Sequence, residues 1–213
     1  MGDLAAMIES GAGRMQIPLT GLQVQKLEQH IALLLKWNAR INLTAITAPA
    51  EVVEKHVLDS LAIARQLPAG LLLDAGTGAG FPGIPIKIVR PDIEVWLVDS
   101  VQKKVAFLKS ALAELKLGGI RAQALRLGGQ PTVEGLPLFS AAVARAFAAP
   151  SDWLRLAEPY LLPGGKVYCL LGARDEAPER EGRLSRARSV EFQLPESHSV
   201  RQVVEYQLAP AVP

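Results

Sequence analysis

Apolar positions along this chain change their spacing in a way that separates helix from strand. Residues 1–16 carry no clear period. Behind Thr20, a good N-cap, Leu22, Leu27, Ile31, Leu34 and Leu35 recur at helical spacing and predict a helix to about Trp37. Asn38 to Pro49 reads as a loop. A second helix is predicted over Glu51–Gln66, with Val52, Val53, Val57, Leu58, Leu61 and Ile63 on or near its buried face. From Leu71 the pattern changes to short, unbroken apolar runs separated by glycine, proline or amphipathic stretches. The runs Leu71–Asp74, Ile93–Asp99, Ile120–Leu125, Ala141–Phe147 and Lys166–Leu171 predict strands. Helices are predicted between them at Pro82–Val89, Val101–Leu117 (closed by Gly118-Gly119) and Asp152–Leu162, the last interrupted near Pro159. Gly128 to Pro137 is expected to be loop, and the mixed charges of 173–189 a surface helix or loop. Val190–Leu194 and Val200–Leu208 read as a terminal antiparallel pair. Strands alternating with helices imply an α/β fold whose mostly parallel sheet is wrapped on both faces. The chain therefore divides at about residue 68 into a helical N-terminal extension and, over 69–213, a sheet domain, as one compact unit.

Chemistry concentrates where the first strand ends. Leu71-Leu72-Leu73 rises into Asp74, and Gly76, Gly78, Gly80 and Gly83 follow. Strand, glycine loop and helix in succession make a nucleotide-type cofactor site, because glycines admit positive φ and a close ligand. Two cofactors compete. Gly78-x-Gly80-x-x-Gly83, with Asp99 some twenty residues on, matches the dinucleotide fingerprint. Yet the glycine triplet begins two residues after Asp74. A carboxylate facing a pyrophosphate would cost about 4 kcal/mol at 4 Å and an effective dielectric of 20. The helix N-terminus returns only about 0.3–2 kcal/mol. The sulfonium and ammonium of S-adenosylmethionine reverse the sign, so Asp74 favours that cofactor. Asp99 ends the second strand, where an acceptor-only group can take both hydroxyls of a ribose.

Length and charge narrow the setting. At 213 residues and 49% apolar, the chain suits one α/β domain with an appendage. Its single cysteine, Cys169, excludes an internal disulfide and fits a reducing compartment. With neither a basic-plus-apolar leader nor a run of 18 apolar residues in the sequence, a cytoplasmic protein without membrane partner is expected. The net charge of +2 is small, but residues 87–126 hold eight Lys or Arg against four acids. That basic middle suits a polyanionic substrate and makes Lys87, Arg90, Lys103 and Lys104 candidate RNA contacts.

Several short motifs now fall into one order. Lys36-Trp37-Asn38 precedes Asn42-Leu43-Thr44, then His56-x-Leu58-Asp59-Ser60. The long loop from Asp74 to Pro85 follows, then Ile88-Val89-Arg90-Pro91 and Arg145-Ala146-Phe147. From about residue 20 to 205 the chain resembles the bacterial RsmG (GidB) family, which methylates a guanine N7 of small-subunit (16S) ribosomal RNA using S-adenosylmethionine. The resemblance implies a class I, Rossmann-like methyltransferase sheet of seven strands with an antiparallel last strand, a ribosomal RNA or subunit as partner, no metal, and a monomer. Among the cofactor contacts expected at Asp74, Gly76, Gly78, Phe81, Asp99, Leu127 and Gly128, it sets Gly76 and Phe81 against the cofactor, Asp99 on the ribose and Leu127-Gly128 along the adenine. Arg145 is placed at the methyl-transfer site, holding a substrate phosphate or the cofactor carboxylate, and Arg201 is a further RNA contact. This chain departs from the family in two places. Gly128-Gly129 stand where relatives carry an acidic residue, leaving backbone N–H groups to serve alone, and Leu171 stands where most carry lysine.

The target atom constrains the mechanism. Guanine N7 is an unprotonated acceptor, so no proton leaves and no general base is needed. Holding N7 about 3–3.5 Å from the methyl group should dominate. The product base is cationic, so a nearby carboxylate would help and a bare cation would hinder. His56 is then structural, pairing with Asp59 or a backbone group. Two other readings stay open: a nicotinamide-dependent oxidoreductase, and an RNA-binding protein on the same fold whose activity has lapsed.

Overall fold

The computed structural model describes residues 2–145 and 148–210. Helix α1 (Gly2–Arg14) covers the stretch expected to be patternless. Its few apolar residues hid it, but Gly11 explains how it packs. A Cβ there would meet the Leu58 side chain at 2.4 Å, so the glycine lets α1 lie directly on the next helical layer. Helix α2 (Gly21–Ile41) starts at Thr20 with a reciprocal capping box: Thr20 Oγ1 accepts from the Gln23 amide and the Thr20 amide donates to Gln23 Oε1. It ends at Asn42 in the left-handed conformation (φ 49°).

The expected second helix is continuous but not uniform. It runs as α3 (Pro49–Val52), a six-residue π segment (Val53–Leu58) and α4 (Asp59–Ala64). A π segment widens the turn and re-aims side chains, a feature that concentrates at functional sites. Here it presents His56 and delivers Asp59 at its end.

Strands β1 (Gly70–Ala75), β2 (Ile93–Asp99), β3 (Ile120–Ala124), β4 (Phe139–Arg145) and β5 (Leu161–Gly172) are parallel; β8 (Val200–Leu208) joins β5 antiparallel. Two strands appear where helix or loop was expected, β6 (Arg180–Glu181) and most of β7 (Leu184–Gln193). The charged, exposed face of β7 masks its alternation, because it packs on one side only. The sheet has eight strands rather than seven, in the order β3-β2-β1-β4-β5-β8-β7-β6. The direction of the order reverses between β1 and β4, and ligands in such sheets bind outside the strand ends at that point. The fourth strand was expected to reach Phe147; Ala146 and Phe147 lie outside the described residues.

Period-two alternation assigns the faces. In β1, Leu72 joins one core with α1 to α4, α5 (Gly83–Val89) and α6 (Gln102–Glu114). Leu73 and Ala75 join the other with α8 (Pro150–Ala157) and Tyr160. The expected helix 152–162 therefore gives way to a 3-10 turn at Glu158–Tyr160, and β5 begins already at Leu161. A short helix, α7 (Pro131–Glu134), interrupts the expected 128–137 loop.

Candidate active site

The glycine loop is braced from below. Asp74 was expected to face whatever fills the loop; instead it is 0% exposed. Its Oδ2 accepts from Thr77 Oγ1 at 2.6 Å and from the Gly83 amide at 2.8 Å. Oδ1 has no hydrogen-bond partner among the described residues. Burial pushes this carboxyl up to about 7 against the pull of those two donors. It is thus a fastener under the loop, not a wall of the ligand site, and the charge argument drawn from it loses its premise. A Cβ on Gly83 would meet Asp74 Oδ2 at 2.6 Å and Leu97 at 2.3 Å, so only glycine fits there. Because the Gly83 amide is already held by Asp74, the N-terminus of α5 has no free amide at that position for a pyrophosphate.

Asp99 does reach the ligand side. It lines a cavity of about 630 Å³ with Gly76, Val98, Val101, Leu125 and Leu127, and Lys104 stands at its edge. Its Oδ2 accepts from the Gly78 amide at 3.0 Å and its Oδ1 from the Val101 amide at 2.8 Å. Gly76 and Gly78 both take positive φ (63° and 59°), which bends the loop around this carboxylate. The far wall holds a finding the sequence did not suggest. Glu134 Oε1 accepts from the amides of Gly128 (2.8 Å) and Gln130 (3.2 Å). Tyr160 accepts from the Gly129 amide (2.8 Å) and donates to Glu134 Oε2 (2.5 Å). The expectation that the glycine amides would serve a ligand alone is therefore corrected: they are engaged. Burial and the adjacent Glu134 carboxylate push the Tyr160 hydroxyl up to about 12, so it stays a donor.

A second cavity, of about 790 Å³, opens at the ends of β4, β5 and β8. Lys55, His56, Asp59, Arg145, Asp175 and Arg201 supply its polar lining, and Leu170 and Leu171 part of its apolar lining. Arg145 Nη1 donates to the Lys55 carbonyl at 2.7 Å and to Asp59 Oδ2 at 3.5 Å. Arg201 Nε lies 3.7 Å from Asp59 Oδ1. One buried carboxylate thus holds two arginines from different strands, β4 and β8. Burial pushes the Asp59 carboxyl up, while Arg145 and Arg201 pull it down.

Phe81 ties the glycine loop to this second cavity. It is 3% exposed, stacked between His30 (centroids 4.6 Å apart) and His56 (4.9 Å), with the Arg145 guanidinium 5.7 Å from its ring. His30 meets the Ala79 carbonyl at 2.9 Å. His56 does not pair with Asp59; its Nε2 meets Thr44 Oγ1 at 3.0 Å and its Nδ1 the Lys55 carbonyl at 3.2 Å. Asn38 prepares that contact by binding the Leu43 and Thr44 amides and the Thr44 carbonyl. Burial holds His30 at about 4; burial, followed by the Arg145 charge, holds His56 at about 3. Both rings are neutral at physiological pH.

The basic middle of the chain divides. Lys87 is buried, its ammonium donating to the carbonyls of Pro91 (2.9 Å) and Ile93 (2.6 Å), and burial lowers its pKa. Arg90 clamps the carbonyls of Ala64 and Leu67 and pairs with Asp92. Lys87 is thus withdrawn from the surface, against expectation, while Arg90, held by these acceptors, keeps a quarter of its side chain exposed. Lys103 is exposed and Lys104 half-buried on α6, and Arg201 stays at the second cavity.

The motifs that build this site carry a family signature. A sequence profile of the GidB family, described as rRNA small subunit methyltransferase G, matches residues 23–204. The chain belongs to the GidB family. A ribosomal RNA small subunit methyltransferase G from Myxococcus xanthus is 48% identical over 189 residues, 85% of this chain and 86% of that protein. One from Anaeromyxobacter dehalogenans (strain 2CP-1) is 42% identical over 207 residues, 94% and 95% of the two chains. Among solved structures, a SAM-dependent methyltransferase from Aquifex aeolicus shares the fold (TM-score 0.54, 16% identity, 75% of this chain and 93% of that one). TrmN from Thermus thermophilus does too (TM-score 0.54, 19% identity, 87% of this chain), although this chain spans only 53% of it. GidB membership makes this a Rossmann-like methyltransferase and removes the nicotinamide reading. Among the described residues no group of three His, Cys, Asp or Glu gathers as a metal site, and no helix is long and apolar enough to cross a membrane. Glu134 lies only six positions from Gly128, but the short helix that turns it back was not expected, and Tyr160 is 31 positions from Gly129. Asp59 stood in a quoted motif, but its partners lie 86 and 142 positions away in the chain.

Proposed function

We propose that this chain transfers a methyl group from S-adenosylmethionine to N7 of a guanine in small-subunit ribosomal RNA, acting as a cytoplasmic monomer. One observation carries the reading: a cavity lined by Gly76 and Asp99 opens at the sheet's switch point, and a second opens at Arg145, whose guanidinium lies over the ring of the glycine-loop residue Phe81. The first suits an adenosine. Val98, Val101, Leu125 and Leu127 offer an apolar slot for a flat base, with the Asp99 carboxylate beside it for ribose hydroxyls. The cofactor supplies an electrophilic methyl group. The second cavity, large enough for a nucleotide, would orient the guanine.

Chemistry at N7 needs no base, and neither buried histidine is a proton carrier at neutral pH. The protein's task is orientation and charge balance. A bare arginine would oppose the positive charge that develops on the methylated guanine. Arg145 is not bare: Asp59 offsets it at 3.5 Å, which leaves the guanidinium able to orient an anionic group without a full charge beside the base. The neutral His56–Phe81–His30 stack holds the loop that carries this geometry.

The test offers labelled S-adenosylmethionine with either naked small-subunit RNA or assembled subunits from cells lacking this gene. Label at one guanine, in a position cleaved by N7-specific chemistry, is expected. Cofactor binding without incorporation into either substrate would overturn the assignment in favour of a lapsed enzyme. Absence of cofactor binding would remove the reading altogether.

A further inference from the structure

Residues 128–130 pose a problem that the catalytic scheme leaves aside. They follow directly on Leu125–Leu127, the wall of the adenosine-sized cavity, yet Gly128 and Gly129 have no side chains to stiffen the chain there. All three consecutive amides are nevertheless engaged, by one side chain from the next turn of the same segment and one from far along the chain. Glu134 Oε1 takes the first and third at 2.8 and 3.2 Å, and the Tyr160 hydroxyl takes the second at 2.8 Å. The two side chains are themselves joined at 2.5 Å. Tyr160 is 0% exposed and anchored in the core beneath α8, so the clamp is tied to the sheet rather than to the loop. Pro131 starts α7 and Gly135 ends it in the left-handed conformation (φ 68°), which sets Glu134 under the amides.

We infer that Glu134 and Tyr160 are positioning residues for the cofactor base: they fix the wall that packs on it and set its hydrogen-bonding character. With its three N–H donors turned to the clamp and the Gln130 carbonyl taken by the Glu134 amide at 3.0 Å, the backbone of 128–130 has only the Gly128 and Gly129 carbonyl oxygens to offer a ligand. A wall of acceptors matches a base whose edge carries an amino group, as adenine does, and mismatches one carrying a carbonyl oxygen there, as hypoxanthine does. Neither residue touches the methyl group or the RNA, so the clamp acts on binding and not on transfer. The inference rests on the cofactor reading above.

The test compares the wild type with Tyr160→Phe, which keeps the ring and deletes both hydroxyl bonds, and with Glu134→Gln. Calorimetric titration uses S-adenosylhomocysteine and its deaminated, hypoxanthine-bearing analogue. The variants should bind S-adenosylhomocysteine about 5- to 30-fold more weakly, the cost of one or two hydrogen bonds. Their preference for the adenine form should shrink, because amide donors are released. Turnover at saturating cofactor and KM for RNA should stay within twofold of wild type, a split that general loosening of the fold would not give. If both variants retain wild-type affinity and base preference, the clamp has no such role. Should one variant fail to fold, the other decides. A wild type that binds neither ligand would instead refute the cofactor reading itself, so the two failures are distinguishable.

Discussion

The two cavities beside the glycine loop are built in opposite ways. The cofactor side is mostly local: Asp74 braces Thr77 and Gly83 three and nine residues on, and Asp99 holds Gly78 and Val101. The other side is assembled from afar. Asp59 comes from the end of the π segment, Arg145 from the end of β4 and Arg201 from the start of β8. A locally braced site forms as soon as its strand and helix pack, whereas the far-assembled one needs the finished sheet. On the proposed reading the difference also separates duties: the first half would be a fixed cradle, and the second would balance charge around an incoming nucleotide.

The largest effect expected of any single change probes the cradle. The Asp74 carboxyl sits at about 7 in the fold against an ordinary value of 3.8, a difference of about 4 kcal/mol. The folded state binds this proton more tightly than the unfolded one. Its contribution is therefore fully present below about pH 3.8 and is lost as pH rises toward 7. Asp74→Asn removes that slope, since an amide oxygen can still accept from Thr77 and Gly83. Urea denaturation of both proteins from pH 4 to 8 should show the variant gaining on wild type by up to roughly 4 kcal/mol across the range. Parallel stability curves would mean that Asp74 is ionised throughout and that the brace is electrostatic.

Next in size is the charge pair in the far cavity. Removing one partner of a buried ion pair costs about 3–5 kcal/mol where the other is left unpaired, and here part of that loss should fall on transfer. Arg145→Ala and Asp59→Asn are each expected to lower turnover about 100-fold while changing cofactor affinity less than threefold. The double variant should be little worse than either single one, as coupled residues behave. Loss of cofactor affinity in Arg145→Ala equal to its loss of turnover would move this residue into the cradle and dissolve the comparison. Asp99→Ala should show the reverse pattern. Losing a charged acceptor for the ribose, about 1.5–3 kcal/mol, should weaken cofactor binding at least tenfold. Turnover at saturation should change little.

What the sequence made legible follows the same division. Strand and glycine loop were readable because each is a short run whose neighbours in space are neighbours in sequence, and Asp99 was readable as the end of such a run. Asp74 was found but misread: its position at a strand end says nothing about which side of the loop its oxygens occupy, and Gly83 settles that by leaving room beneath. Lys87 and Arg90 were counted as surface charge, yet backbone carbonyls at Pro91, Ile93, Ala64 and Leu67 take their donors. Composition cannot tell a solvated cation from one that closes a turn. The Glu134–Tyr160 clamp and the Asp59 triad were out of reach. Tyr160, Arg145 and Arg201 reach their partners only through tertiary packing, and Glu134 reaches its own through a four-residue helix too short to leave a period.

The smallest effect expected, and the sharpest on RNA recognition, concerns that divided basic stretch. If Lys103 and Lys104 each neutralise a phosphate, replacing both with Ala should reduce the slope of log affinity against log salt by about 1.4, as single-stranded RNA contacts do. Each contact would account for well under 1 kcal/mol at physiological salt, so turnover with saturating RNA should hardly move. Lys87→Met is the matched control, since it removes the same charge from a buried site bonded to two carbonyls. It should leave the salt slope unchanged and lower the unfolding midpoint instead. A slope altered by Lys87→Met but not by the double substitution would mean that RNA approaches across the α5–β2 edge rather than past α6. The cofactor cavity, with Lys104 at its rim, would then face away from the nucleic acid, and adjoining cavities would no longer explain the reaction.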